Sequence, residues 1–353
     1  PNGKAFPRIR IEYLGKKIKR IDKWTLKVDH NEIKQDTDSD QGIRCYTFTQ
    51  DGNIVVGSQW SLKLYSNQGS FIREFTGHTG EVWAVSTDQS GRILASASSD
   101  QTIKLWNLQS GELLVTLFVT HDNEWICWTP KGYYAASAGG EKYIGWQINQ
   151  GLDKTAEYYP AYTFRKKFHN KELVSRTIEW ASFDKAFAEY NSRPGKHIVQ
   201  EKLPQLLPPD ISWQYPDDYY KKTSSKTIRI RANISSKEKI TALKIQVNGG
   251  TVATTSKITS IPGKGQFDKI IEFDVPLTPK ENKIRIYAEN TNAFSTSKER
   301  VVFYESQDWK KPNLYMVSIG ISKYSRSEQN LSFADKDARE QRFRAKKYCF
   351  EIQ

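Results

Sequence analysis

A glycine-led apolar motif recurs along the first part of this chain at nearly constant spacing. Gly52-Asn53-Ile54-Val55-Val56, Gly91-Arg92-Ile93-Leu94-Ala95 and Gly132-Tyr133-Tyr134-Ala135-Ala136 begin 39 and 41 residues apart. A second register agrees: the aromatics Tyr65, Trp106 and Trp146 recur at 41 and 40. The middle unit is the most regular. Apolar side chains alternate over 82–85, 93–98 and 103–106, with Gly91 and Asp100 between the runs, the pattern of short antiparallel strands joined by tight turns. A unit of this size cannot bury its apolar faces alone, so it must stack against copies of itself.

Gly77-His78 precedes the first of those runs and Trp106 closes the third. Together they resemble the signature of a WD-repeat propeller blade, with Asn107 where the name-giving Asp would stand. The resemblance implies an internal hydrogen-bond network of His78, a hydroxyl from Ser96 or Ser98, Asp100 and Trp106. A paired His and Asp would also suit catalysis; within a blade the structural role is the expected one. The flanking units are degenerate. The first lacks a Gly-His pair and carries Tyr65, and the last has Gly140-Glu141 in place of the turn Asp.

Residues 1–150 are therefore expected to form a partial WD-repeat propeller of about three blades. Three blades do not close a propeller. The chain opens on Pro1 and its single Met is Met316, so further blades are expected upstream. Residues 9–13 and 24–28 alternate like strands of an incomplete or degenerate blade. Asp36, Asp38 and Asp40 alternate as in calcium loops, but Gln41 and Thr47 stand where an EF-hand needs Gly and Glu. An acidic turn is the expectation, with no metal and no cofactor.

Charge raises the question of nucleic acid, because 53 Lys and Arg against 40 Asp and Glu leave a net +13. The basic residues are spread over the whole length and mixed with acids, without a recognition-helix or stacking-platform pattern. No specific nucleic-acid partner is expected. The apolar runs are strand-length, so no membrane span is expected. Cys45, Cys127 and Cys349 are odd in number and far apart, which argues against a disulfide framework or zinc site and for a reducing, cytoplasmic compartment.

Residues 151–207 read as a helical bridge and linker. Asn170 can cap a helix to about Trp180 with Leu173, Val174 and Ile178 inward, and Ser182 can cap a second through Phe183, Phe187 and Tyr190, ended by Arg193-Pro194-Gly195. Leu206-Leu207-Pro208-Pro209 breaks regular structure. About seven strands follow in 208–306, with Ile228, Ile230, Ala232 and Ile234 alternating against Arg229, Arg231 and Asn233. Asn248-Gly249-Gly250 signals a hairpin. This segment resembles an immunoglobulin-like β-sandwich without the Cys-Trp-Cys pattern of antibody domains.

After Pro312 the pattern changes to a nearly continuous apolar run, 314–319, followed by a polar loop and Ala334-Asp335-Lys336-Asp337-Ala338. This passage resembles the opening β-α unit of caspase-like peptidases. The preceding stretch 123–168, with Trp125, Trp128, Trp146 and Phe164-Arg165-Lys166-Lys167-Phe168, resembles a bacterial family that joins WD repeats, a sandwich and a caspase-like domain. The resemblance implies a mainly β chain ending in the truncated start, 312–353, of an α/β caspase-like domain. No His follows His197, and Cys349 lies in a basic tail, so no residue here is assigned a catalytic role. The expected function is the regulatory or partner-recognition part of a caspase-like cysteine peptidase, inactive as it stands. The alternative is a non-enzymatic WD-repeat interaction scaffold. Either reading expects protein partners at the propeller, and self-association through the truncated α/β segment.

Overall fold

The computed structural model describes residues 12–13, 15–35, 42–59, 61–149, 155–200 and 203–306, together with Ile321, Lys323, Ala334 and Lys336. The β-α unit expected in 312–353, including Cys349, and most of the acidic turn around Asp36, Asp38 and Asp40 lie outside the described residues. The chain is mainly β.

The N-terminal part is a stack of antiparallel meanders. The first comprises Glu12–Tyr13, Lys16–Arg20, Thr25–Val28 and Asn31–Lys34, and the second Ile43–Phe48, Ile54–Ser58, Leu62–Tyr65 and Phe71–Glu74. The third runs Val82–Thr87, Ile93–Ser98, Thr102–Asn107 and Leu113–Val119. Leu26, Val28 and Ile33 of the first sheet bury against Phe48, Ile54 and Val56 of the second. The second covers Val82, Val85, Leu94 and Trp106 of the third with Cys45, Val55, Leu62 and Leu64. Gly57 is the point of closest approach. A Cβ there would fall 2.5 Å from the Cys45 sulfur and 2.9 Å from Val82 Cγ1, so only glycine lets these sheets meet.

The stretch read as an incomplete or degenerate blade forms a four-stranded sheet whose first strand has two residues; its Lys16–Arg20 and Asn31–Lys34 strands are polar, and one buried isoleucine marks each. One expectation needs correction. The third repeat does not fold as a blade. Its first two runs, Trp125–Trp128 and Tyr134–Ala136, extend the third sheet at the Leu113–Val119 edge. Its aromatic, Trp146, sits in a separate hairpin of Gly145–Ile148 with Glu157–Pro160. The cause lies at Gly140-Glu141. Without a turn Asp the chain makes a single 3-10 turn, Gly140–Lys142, and Glu141 is drawn to Arg165. Gly132, at φ +89°, leaves room for the Trp146 ring, which a Cβ would meet at 2.4 Å.

Helices Lys171–Glu179 and Phe183–Asn191 begin where side chains accept the first free amides: Asn170 Oδ1 from Leu173 and Ser182 Oγ from Lys185. Leu173, Val174, Phe183, Ala186 and Tyr190 are buried against Val115, Ile126, Tyr133 and Ala135. The helices thus cover the outer strands of the third sheet.

Residues 210–304 form two sheets around one core. One orders Asp210–Tyr215, Thr227–Ser235, Lys269–Pro276 and Thr259–Pro262; the other orders Tyr220–Thr223, Arg300–Tyr304, Lys280–Asn290, Ile240–Val247 and Gly250–Thr254, with Phe294–Thr296 beside Lys280–Asn290. Ile228, Ile230, Ala232 and Ile234 face Ile245, Ile284, Ile286 and Ala288 across it. Asn248 and Gly249, both at positive φ, turn the hairpin. Three strands beyond the seven expected, Tyr220–Thr223, Thr259–Pro262 and Phe294–Thr296, are short edge pieces; Tyr220–Thr223 and Thr259–Pro262 contain no buried residue.

Candidate functional site

The third sheet contains a wired polar cluster. His78 Nδ1 lies 2.7 Å from Asp100 Oδ2, and His78 Nε2 lies 2.8 Å from Ser96 Oγ. Trp106 Nε1 donates to the same Ser96 oxygen at 2.8 Å. The directions follow from what each group can offer. Trp106 is donor only, so Ser96 accepts from it and gives its own proton to His78 Nε2; His78 Nδ1–H then donates to the Asp100 carboxylate. The structure selects Ser96 over Ser98, whose hydroxyl instead accepts from the Asp100 amide. Thr102, which sequence reasoning passed over, donates both hydroxyl and amide to Asp100 Oδ1, at 2.6 and 2.9 Å. A turn Asp followed two residues later by Thr is the signal that marks it.

Asp100, His78 and Ser96 stand in the order of a hydrolytic triad. Two facts remove that chemistry. Ser96 is 1% exposed, and its oxygen is held by Trp106 as well as His78. A nucleophile needs a free approach to substrate, and this one is enclosed in the sheet-to-sheet core. Beside it Lys104 is buried and donates to Thr116 Oγ1 at 3.0 Å. Burial pushes the thiols of Cys45 and Cys127 up to about 12, so neither is a thiolate near neutral pH. Among the described residues no group of three or more His, Cys, Asp or Glu is placed to hold a metal ion, and no helix is long and apolar enough to cross a membrane.

Burial lowers the His78 pKa despite the opposing hydrogen bond and charge of Asp100. Burial would raise that of Asp100, but the Thr102 hydroxyl, His78 and two backbone amides outweigh it and hold the carboxyl at about 2. The unfolded imidazole takes up a proton below about pH 6.5, which the folded ring resists. Stability from neutral His78 is therefore complete above that pH and falls as pH drops through the lower folded value. The Asp100 contribution is lost further down, between about pH 4 and its folded value. Urea unfolding of the wild type should show a midpoint that declines as pH drops below about 6.5, and His78→Gln should flatten that limb. An unchanged slope in the variant would assign the decline to another group.

Asn107, at the place of the family's Asp, has a reason in the tertiary structure. Its Oδ1 accepts from the amides of Gln109 and Ser110, at 2.8 Å each, as a carboxylate would. Its Nδ2 donates to the Ala181 carbonyl at 2.8 Å, which a carboxylate cannot do. Glu112 joins it by accepting from the Phe183 amide at 3.0 Å. This pair latches the helices to the blade. Asn107→Asp should cost about 1–3 kcal/mol, because it sets a carboxylate against a carbonyl. Faster hydrogen exchange over 171–191 would register the loss; unchanged exchange there would show the latch to be idle.

Residues 69–107, which contain His78, Ser96, Asp100 and Trp106, match the WD domain, G-beta repeat family. The chain carries a WD repeat. It is similar to eukaryotic translation initiation factor 3 subunit I of Neurospora crassa, 33% identical over 72 residues, 20% of this chain and 21% of that protein. It is also similar to the ribosome biogenesis protein BOP1 homolog of Arabidopsis thaliana, 25% identical over 207 residues, 56% of this chain and 25% of that one. The chain thus spans about a fifth to a quarter of the length of these relatives. Among solved structures, the WD40 β-propeller domain of Doa1 aligns over 33% of this chain and 44% of its own, at 16% identity and TM-score 0.24. The C-terminal WD40 domain of Sif2 aligns over 35% and 38%, at 20% identity and TM-score 0.25.

Proposed function

We propose that this chain works by recognising other proteins, as a non-enzymatic WD-repeat scaffold. One observation carries the reading: the only His–Asp–Ser alignment described above is buried and saturated within its own blade. What the stacked sheets offer to other molecules is their surface. In this reading residues 1–150 are a partial propeller, 151–207 the bridge, 208–306 an immunoglobulin-like sandwich and 312–353 the start of an α/β domain. The two-sheet core around Ile230 and Ile286 supports the sandwich assignment. Free, buried Cys45 and Cys127 support a reducing, cytoplasmic setting.

A second reading makes the chain the partner-recognition part of a caspase-like peptidase, and the apolar run 314–319 followed by Ala334–Ala338 supports it. Self-association through that segment belongs to the same reading. Tagged chain, presented to soluble extract and challenged with excess untagged chain, tests the main proposal. A protein released by the competitor, with saturable binding to the purified chain, is the expected result. Peptide hydrolysis by the purified chain, with no competed partner, would overturn it.

A further inference from the structure

Arg44 and Trp83 stand 39 residues apart, the spacing of the repeat, and each is the extra residue of a β-bulge. In the second sheet the pairing passes from Ile43–Ser58 to Cys45–Gly57, which leaves Arg44 without a partner position. In the third it passes from Ala84–Ala97 to Val82–Ser98, which leaves Trp83. A bulge re-aims the side chain of its extra residue. These are the first strands of adjacent sheets, and Cys45 Sγ reaches the Val82 carbonyl at 3.3 Å between them. The two equivalent bulges therefore bring Arg44 over the Trp83 indole, 5.4 Å from the ring centroid.

The pair is unusual in what it leaves open. Trp83 is 54% exposed, although an indole of its size gains by burial. Of the five donors of Arg44, one on Nη2 is bonded, to Glu81 Oε1 at 2.9 Å, and Nε is buried without a partner, which leaves the other Nη hydrogens to solvent. Glu81 is itself fixed by its amide, which donates to Ser99 Oγ at 2.8 Å. Arg44 is thus held in place while most of its hydrogen-bonding capacity stays unused.

We propose that Arg44 and Trp83 anchor a docking site for an acidic peptide segment of a protein partner. A carboxylate of the peptide takes the free Nη hydrogens of the guanidinium, and a neighbouring apolar side chain covers the open indole surface. Arg and Trp are the residue types that most often carry such anchoring, and guanidinium matches carboxylate geometry. A chain of net charge +13 draws acidic segments toward itself. The inference rests on the scaffold reading and supplies its partner chemistry.

The test is fluorescence anisotropy on the full chain with a labelled peptide of alternating Glu and Phe, against its Lys–Phe counterpart. The acidic peptide should bind saturably. Trp83→Ala and Arg44→Lys should each weaken it by about tenfold or more, while Arg229→Ala, exposed on the Thr227–Ser235 strand of the separate C-terminal core, leaves it unchanged. Because Trp83 is exposed and Arg44→Lys keeps the charge, both variants should melt as the wild type does. Equal affinity for the basic peptide, absence of saturation, or equal loss in all three variants would overturn the anchor. If extract proteins are still competed off the wild type, the anchor alone is lost and the scaffold reading stands.

Discussion

Trp106→Ala is expected to destabilise the stacked sheets by about 3–5 kcal/mol, the largest effect of any substitution considered. The ring is 1% exposed and contacts Phe75 edge-on, with centroids 5.8 Å apart. Its removal opens a cavity between the second and third sheets and takes the Nε1 donor from Ser96. Both losses act at one place, so a phenylalanine, which restores volume without the donor, should recover only part. Hydrogen exchange over 93–107 reads the effect locally. The strand Thr227–Ser235 belongs to the separate two-sheet core of the C-terminal part and should keep its protection. Equal loss of protection in both would mean that the chain unfolds as one unit.

The second large effect is expected at Arg165. Glu141 is 5% exposed, and its carboxylate is gripped by Arg165 through Nε, at 3.0 and 2.9 Å, and through Nη2. The Tyr134 hydroxyl lies 3.1 Å from Glu141 Oε1 and 3.1 Å from the Ala161 carbonyl. Arg165→Ala leaves a buried carboxylate with at most one donor, at a cost of about 3 kcal/mol. Adding Glu141→Gln removes the stranded charge and should recover more than half of that loss. A double variant no better than Arg165→Ala would show that Arg165 acts through packing rather than charge.

Much of this was legible because it is local. The spacing of Gly52, Gly91 and Gly132 marks strands, since each glycine takes positive φ at the turn before one. Asn170 and Ser182 mark helix starts because capping is decided within three residues. Alternation over Ile228, Ile230, Ala232 and Ile234 marks a half-buried strand. The illegible parts depend on distant partners. Where the third repeat departs from a blade, Glu141 pairs with Arg165, 24 positions away, and spacing alone could not reveal that contact. The purpose of Asn107 rests on Ala181, 74 positions on. The Arg44 and Trp83 bulges left one trace, a shared spacing of 39, which becomes informative only once the first strands of both sheets are aligned.

The central claim is that the Asp100–His78–Ser96 alignment clamps a blade and performs no hydrolysis. A fluorophosphonate probe, followed by peptide mapping of the folded chain and unfolding of His78→Ala, tests it directly. The account predicts no adduct on Ser96 in the native protein, and a stability loss of about 1–3 kcal/mol in the variant, as buried Ser96 and Asp100 lose their shared partner. An adduct on Ser96 that disappears in His78→Ala, with the unfolding midpoint unchanged, would contradict it.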